Sequence, residues 1–170
     1  RGMINMVEFL TEDDLVAWMR SVNIQPAVFY KSIGTLGGGN HFMEYEEGED
    51  RWAFTVHTGS RSLGHKVFNK WDRIAQRTGG YLTGENLRGY LTDMVITQAY
   101  AKFNRKVILD KAAAIMHKIN GAKVDGVIGT THNYLDFQDL ISIDTKMLES
   151  AFGMKISESQ ITAMTQKYMT

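Results

Sequence analysis

The sequence predicts an α+β protein, with antiparallel or mixed β-structure flanked by helices. Three observations point there. Residues 11–22 carry helix-start chemistry ahead of an apolar stripe, and two aromatic-rich segments flank the acidic turn "EEGED". From about residue 86 to 119, apolar side chains recur at three- and four-residue spacing. Strands and helices do not alternate as clean βαβ units, which argues against an α/β sheet.

Taken in order, "TEDDLVAWMRSV" (11–22) reads as a short amphipathic helix. Thr11 suits its N-cap, and Glu12, Asp13 and Asp14 complement the positive end of the helix dipole. Pro26, the only proline, interrupts the pattern before "AVFYKSI". The loop "GTLGGGNHF" (34–42) follows, and then a predicted hairpin of "HFMEY" and "RWAFTVH" closed by "EEGED". That acidic run is read as a solvated turn rather than a metal site. "GGYLTGE" (79–85) is a second loop. The long helix after it has Leu87, Leu91, Met94, Val95, Ala99, Phe103, Val107, Ala114 and Ile115 on its apolar face, with Gly89 fraying its first turn. "NGAKVDGVIGTTHNYLD" returns to loop and strand around Val124, Val127 and Ile128. Near the end, "SESQITAMTQKYM" fits a last helix with Ser157 and Gln160 as a capping box.

The bulk numbers bound the function. A chain of 170 residues is one domain's worth and needs no disulfide or metal staple. Nineteen basic and nineteen acidic residues leave a formal charge of zero, so no global basic field advertises non-specific nucleic-acid binding. Cysteine is absent, which removes disulfides and thiolate zinc sites and suits a reducing, cytoplasmic setting. No apolar run approaches the twenty or so residues of a membrane span. A chain that starts at Arg1 reads as a segment of a longer polypeptide, with Met3 as an alternative start.

Function must therefore be sought in local chemistry, and the glycine run is the first place to look. It is not a phosphate-binding P-loop, because Asn40 and His41 stand where Gly-Lys-Ser/Thr is needed. Nor is it a dinucleotide fingerprint: Gly37 and Gly39 fit, but Phe42 occupies the last glycine position. The histidines are more informative. His41 ends the glycine loop, and His57 ends the second hairpin strand. A turn near Gly48 or Glu49 places residue 41 across from residue 56 or 57, with Cα atoms about 4.5–5.5 Å apart. His132 closes another predicted strand, and it too has an asparagine neighbour, Asn133. This trio reads either as a shared metal site or as three separately hydrogen-bonded histidines. Imidazole suits zinc, copper, iron, nickel and, with oxygen donors, manganese. His65 and His117 are read as structural. In "HTGSR" (57–61), Ser60 offers a hydroxyl and Arg61 a forked cation for a phosphate, the alternative being a surface ion pair.

"GTLGGGNHF", "VHTGSRSLGH", "GYLTDM…QAYAKFNR" and "THNYLD", in this order, resemble the RtcB-type RNA-splicing ligases from about Lys31 to Phe137. Ser62 stands where that family usually has glycine. The resemblance implies an enzyme that joins RNA ends bearing a 2′,3′-cyclic phosphate or 3′-phosphate to 5′-hydroxyl ends, using GTP and two Mn²⁺ ions. It implies His41, His57 and His132 as metal ligands, and Asn40 and Asn133 against the nucleotide's phosphates. It also implies an Asp, a metal-bridging Cys and a guanylylated His that have no counterpart here, so no catalytic residue is located in this chain. Residues 1–170 are expected to form a single domain that is an incomplete core of such a ligase, unable to ligate alone. A complementary chain would then supply the missing motifs. Two other readings stand beside it: an RtcB-like binding module without ligation, and a metal-dependent phosphohydrolase.

Overall fold

The computed structural model describes residues 11–49 and 51–130. The expected last helix at Ser157, together with His132 and Asn133, lies outside the described residues. Within them the chain runs α1 (Glu12–Ser21), α2 (Pro26–Ser32), β1 (Phe42–Glu47), β2 (Trp52–His57), α3 (Leu63–Arg77) and α4 (Gly84–Asn120). Helices and an antiparallel pair of strands make this an α+β fold, as the sequence predicts.

Helix α1 starts where the cap chemistry puts it. The Thr11 hydroxyl accepts from the Asp14 backbone, and the Asp14 carboxylate in turn accepts from the Thr11 N–H, a reciprocal capping box. These bonds hold the Asp14 carboxyl below its ordinary pKa, chiefly through the Thr11 side chain. Two helices were not expected. Pro26 occupies the first turn of α2, where its missing N–H would have had no intrahelical partner. It opens a helix rather than only closing one. The sequence of α3 carries Leu63, Val67 and Trp71 at four-residue spacing, and all three are buried.

The core is helical. Leu15, Trp18 and Met19 of α1, Val22 and Ile24 after it, Phe29 of α2, Leu63, Val67 and Trp71 of α3, and Ile96 and Tyr100 of α4 form one buried cluster. Asp93 of α4 is buried at its edge and ties three helices together. It accepts from the Trp18 indole at 2.8 Å, the Trp71 indole at 2.6 Å and the Lys70 ammonium at 2.8 Å. A buried carboxylate is tolerable only with such partners. Gly89 packs beneath the Trp71 ring: a Cβ there would lie 2.5 Å from Cη2. So Gly89 serves close helix packing and does not fray α4.

The hairpin forms in one register, Phe42 opposite His57 and Met43 opposite Val56. The expected pairing of residue 41 with 56 or 57 is therefore displaced, and His41 lies just before the first pair. Two further expectations change. The buried face of α4 ends at Ile108, leaving Ala114 and Ile115 exposed. Residues 121–130 form no strand, and Val124, Val127 and Ile128 are exposed. Gly121 ends α4 in the left-handed conformation, φ 73°, as a helix C-terminus favours.

Candidate metal and phosphate site

Two loops meet at the middle of α4. The first is the glycine loop between α2 and β1, and the second is residues 58–62 between β2 and α3. Asn104, fully buried on α4, joins them. Its Oδ1 accepts from the Gly34 N–H at 2.7 Å, and its amide donates to the Thr35 carbonyl at 3.1 Å and the Gly59 carbonyl at 3.3 Å. Next to it, the Arg105 guanidinium donates to the Thr58 carbonyl at 3.1 Å, and burial draws its pKa down. The Thr58 hydroxyl then crosses to the Leu36 carbonyl at 2.5 Å. One turn of helix thus satisfies carbonyls from both loops, which would be costly to bury unpaired.

Arg61 adds the third link. It adopts a left-handed backbone, φ 60°, a conformation that costs a non-glycine residue about 1–2 kcal/mol. Its side chain offsets this with contacts to the glycine loop: Nε donates to the Thr35 hydroxyl at 3.2 Å and Nη1 to the Leu36 carbonyl at 3.1 Å. The same Nη1 lies 3.3 Å from His41 Nδ1. Gly37 explains part of the glycine run. With φ 99° and the Arg61 guanidinium standing where a Cβ would project, only glycine fits.

The two described candidate metal histidines are neighbours. The His41 and His57 ring centroids are 6.1 Å apart with a 36° interplanar angle. Phe42 stacks on His57 at 5.2 Å and 13°, fixing the plane of that ring on the exposed side of the hairpin. Asn40 is exposed at the loop's end. Ser60 is within the second loop, and its hydroxyl oxygen accepts from the Gly64 N–H at 3.1 Å, anchoring the start of α3. His65 is exposed on α3, and His117 Nδ1 lies 3.0 Å from the Ala122 carbonyl at the end of α4, both apart from this cluster. Among the described residues, no group of three His, Cys, Asp or Glu side chains is placed to hold a metal ion. The donor set present is two adjacent imidazoles, a pair that fits part of a transition-metal site.

Residues 19–149 match the family described as tRNA-splicing ligase RtcB. The chain belongs to the RtcB family. Similar proteins include the RNA-splicing ligase RtcB of Escherichia coli K12, 27% identical over 106 residues that cover 53% of this chain and 26% of the relative. The RNA-splicing ligase RtcB of Mycobacterium tuberculosis is 25% identical over 130 residues, 59% of this chain and 30% of its own length. The tRNA-splicing ligase RtcB of Archaeoglobus fulgidus is 28% identical over 141 residues, 63% of this chain and 29% of the relative. The chain therefore spans less than a third of these relatives. No solved structure matches it significantly.

Asn104, Arg105 and Thr58 were missed by reasoning from sequence. For Asn104 a signal was present in "QAYAKFNR". Ile96, Tyr100, Asn104 and Ile108 recur every four residues, and an asparagine within that apolar stripe is a buried polar group needing partners.

Proposed function

We propose that this chain is the central metal- and nucleotide-binding part of an RtcB-type RNA ligase. The reaction is the joining of RNA 2′,3′-cyclic phosphate or 3′-phosphate ends to 5′-hydroxyl ends, with GTP and two Mn²⁺ ions as cofactors. One observation carries this reading: the hairpin sets His41 and His57 side by side, and Asn104 ties the two loops that carry them to α4. Family membership supports ligation as the chemistry, and the cysteine-free composition suits a cytoplasmic site of action. Among the described residues, no helix is long and apolar enough to cross a membrane.

In this reading His41 and His57 hold metal, with His132 as the third imidazole. Asn40, Asn133, Ser60 and Arg61 face phosphate groups of the nucleotide or RNA end. Metal ions in such a site neutralise charge on the attacking and leaving oxygens of phosphoryl transfer. The chain's own contribution is positioning. Asn104 and Arg105 hold two loops at a fixed distance, and the Phe42 ring fixes the orientation of His57. Residues 1–170 act as a single incomplete domain, and the Asp, Cys and guanylylated His motifs come from a complementary segment or chain.

Titration calorimetry with Mn²⁺ tests the metal reading. The full chain should bind Mn²⁺, and His57→Ala should weaken binding at least tenfold. Equal binding by both would remove the metal assignment. Incubation with labelled GTP should leave the chain unlabelled, and a retained covalent label would show that a nucleophile lies within it.

A further inference from the structure

Resting on that metal-binding reading, we infer that Arg61 and a metal ion compete for His41, so that the guanidinium is a built-in occupant of the cation position and an arriving oxyanion releases it. The argument begins with proton inventory. A guanidinium has donors and no acceptor, so an N–H of Arg61 facing His41 Nδ1 at 3.3 Å requires a lone pair on that nitrogen. Neutral imidazole has one lone pair and one N–H, which puts the proton on Nε2.

Neither nitrogen then accepts a metal while this contact persists. Nδ1 is covered by Nη1. Nε2 is free to ligate only if the proton moves to Nδ1, where it would point at another N–H donor. Metal binding at either atom therefore requires Arg61 to leave. The contact is built into the loops. Gly37 leaves room for the guanidinium, and Thr35 and Leu36 hold it in place with hydrogen bonds of 3.2 and 3.1 Å.

Arg61 has a reason to leave when a phosphate arrives. A charge-assisted, forked contact to an oxyanion is stronger than donation to neutral imidazole, a hydroxyl and a carbonyl. The anion and the metal would then bind cooperatively through one side chain, the anion drawing the guanidinium off and baring His41. Reciprocity follows: whatever factor the anion adds to metal affinity, the metal adds to anion affinity.

The first test is the tautomer. In long-range ¹⁵N NMR of the metal-free chain, His41 should be the Nε2–H form. A predominantly Nδ1–H ring would overturn the inference with no metal present. The second test is Mn²⁺ calorimetry on the full chain. Removing a hydrogen bond from a charged donor should make Arg61→Ala bind Mn²⁺ about tenfold more tightly than wild type. Arg61→Gln keeps a donor for the Leu36 carbonyl without the charge, and it should also bind more tightly if the loop stays folded by near-UV circular dichroism. Unchanged or weaker Mn²⁺ binding by folded Arg61→Gln would overturn the competition. Millimolar sulfate, an oxyanion probe, should strengthen Mn²⁺ binding by wild type and leave Arg61→Ala unchanged; no effect on wild type would overturn the release step. If His41→Ala and His57→Ala bind Mn²⁺ like wild type, the metal reading itself fails, an outcome separate from all of these.

Discussion

The two ends of α4 are one continuous helix with opposite environments. From Leu91 to Ile108 its residues enter the core, hold Asp93 against two indoles and stitch the site loops through Asn104 and Arg105. From Leu109 to Asn120 it carries Ile115 and Ile119, which are 58% and 71% exposed, although α4 propagates without a break to Gly121. A helix of 37 residues extends about 55 Å, longer than the helical cluster it serves. The difference separates what this chain stabilises by itself from what it presents. Its site rests on the packed half. The other half carries exposed apolar surface of the kind that marks a contact with a further part of a fold or a partner.

The largest expected effect comes from breaking the packed half at the site. Asn104→Ala removes partners from the Gly34 N–H and the Thr35 and Gly59 carbonyls at once. Unsatisfied buried groups of this kind cost about 1–3 kcal/mol each, so a loss on the order of 3 kcal/mol is expected. Urea denaturation followed by tryptophan fluorescence measures it. A loss below about 1 kcal/mol would show that the two loops hold their arrangement without α4. Gly89→Ala comes next. It sets a methyl group against the Trp71 ring, and overpacking should cost about 1–3 kcal/mol in the same experiment. Were that variant as stable as wild type, the close approach of α3 and α4 would not be a constraint.

A smaller effect tests the same half by pH. Burial pushes the Tyr100 hydroxyl up to about 12, from an ordinary 10.0, while the group donates to the Phe29 carbonyl at 3.1 Å. The folded state keeps its proton where the unfolded chain has lost it. Stability from this group is therefore full below pH 10 and declines as pH rises from about 10 to 12. Tyr100→Phe should flatten that decline in thermal melts, and an unchanged slope would assign base sensitivity to other groups. At the acid end the sign reverses. The Asp14 carboxyl is held below its ordinary value, so α1 loses its capping box as pH falls through the acid range, a change Asp14→Asn should abolish.

How much of this was legible in the sequence differs along the chain. The α+β class, the hairpin, α1 and the span of α4 were readable because each carries a local signature: a cap, a turn or a periodicity. Helix α2 was hidden by treating Pro26 as a breaker, when proline in a first helical turn starts one. Helix α3 has no side-chain cap to announce its start after "HTGSR", and only the four-residue spacing of Leu63, Val67 and Trp71 marks it. Of the site, the nearness of His41 and His57 followed from hairpin logic. The register was off because the turn closes between Gly48 and Arg51 and pairs Phe42, not His41, with His57. The burial of Asn104 is legible from the apolar stripe it interrupts, but its partners follow from the loops lying across α4, which no local pattern encodes.

The smallest expected effect is at Ile119, and set against Ile108 it states the contrast along α4 most sharply. Ile108 is 6% exposed and Ile119 is 71% exposed on the same helix. Ile108→Ala should cost about 2–4 kcal/mol, since it removes a buried side chain and leaves a void. Ile119→Ala should change stability by no more than about 0.5 kcal/mol, because alanine loses little burial there and has the better helix propensity. The substitution is chemically identical, so propensity and side-chain size cancel and the environment alone sets the difference. A cost above about 1 kcal/mol at Ile119 would mean that this end of α4 is already covered in the isolated chain, and the contrast between the two halves would have to be redrawn.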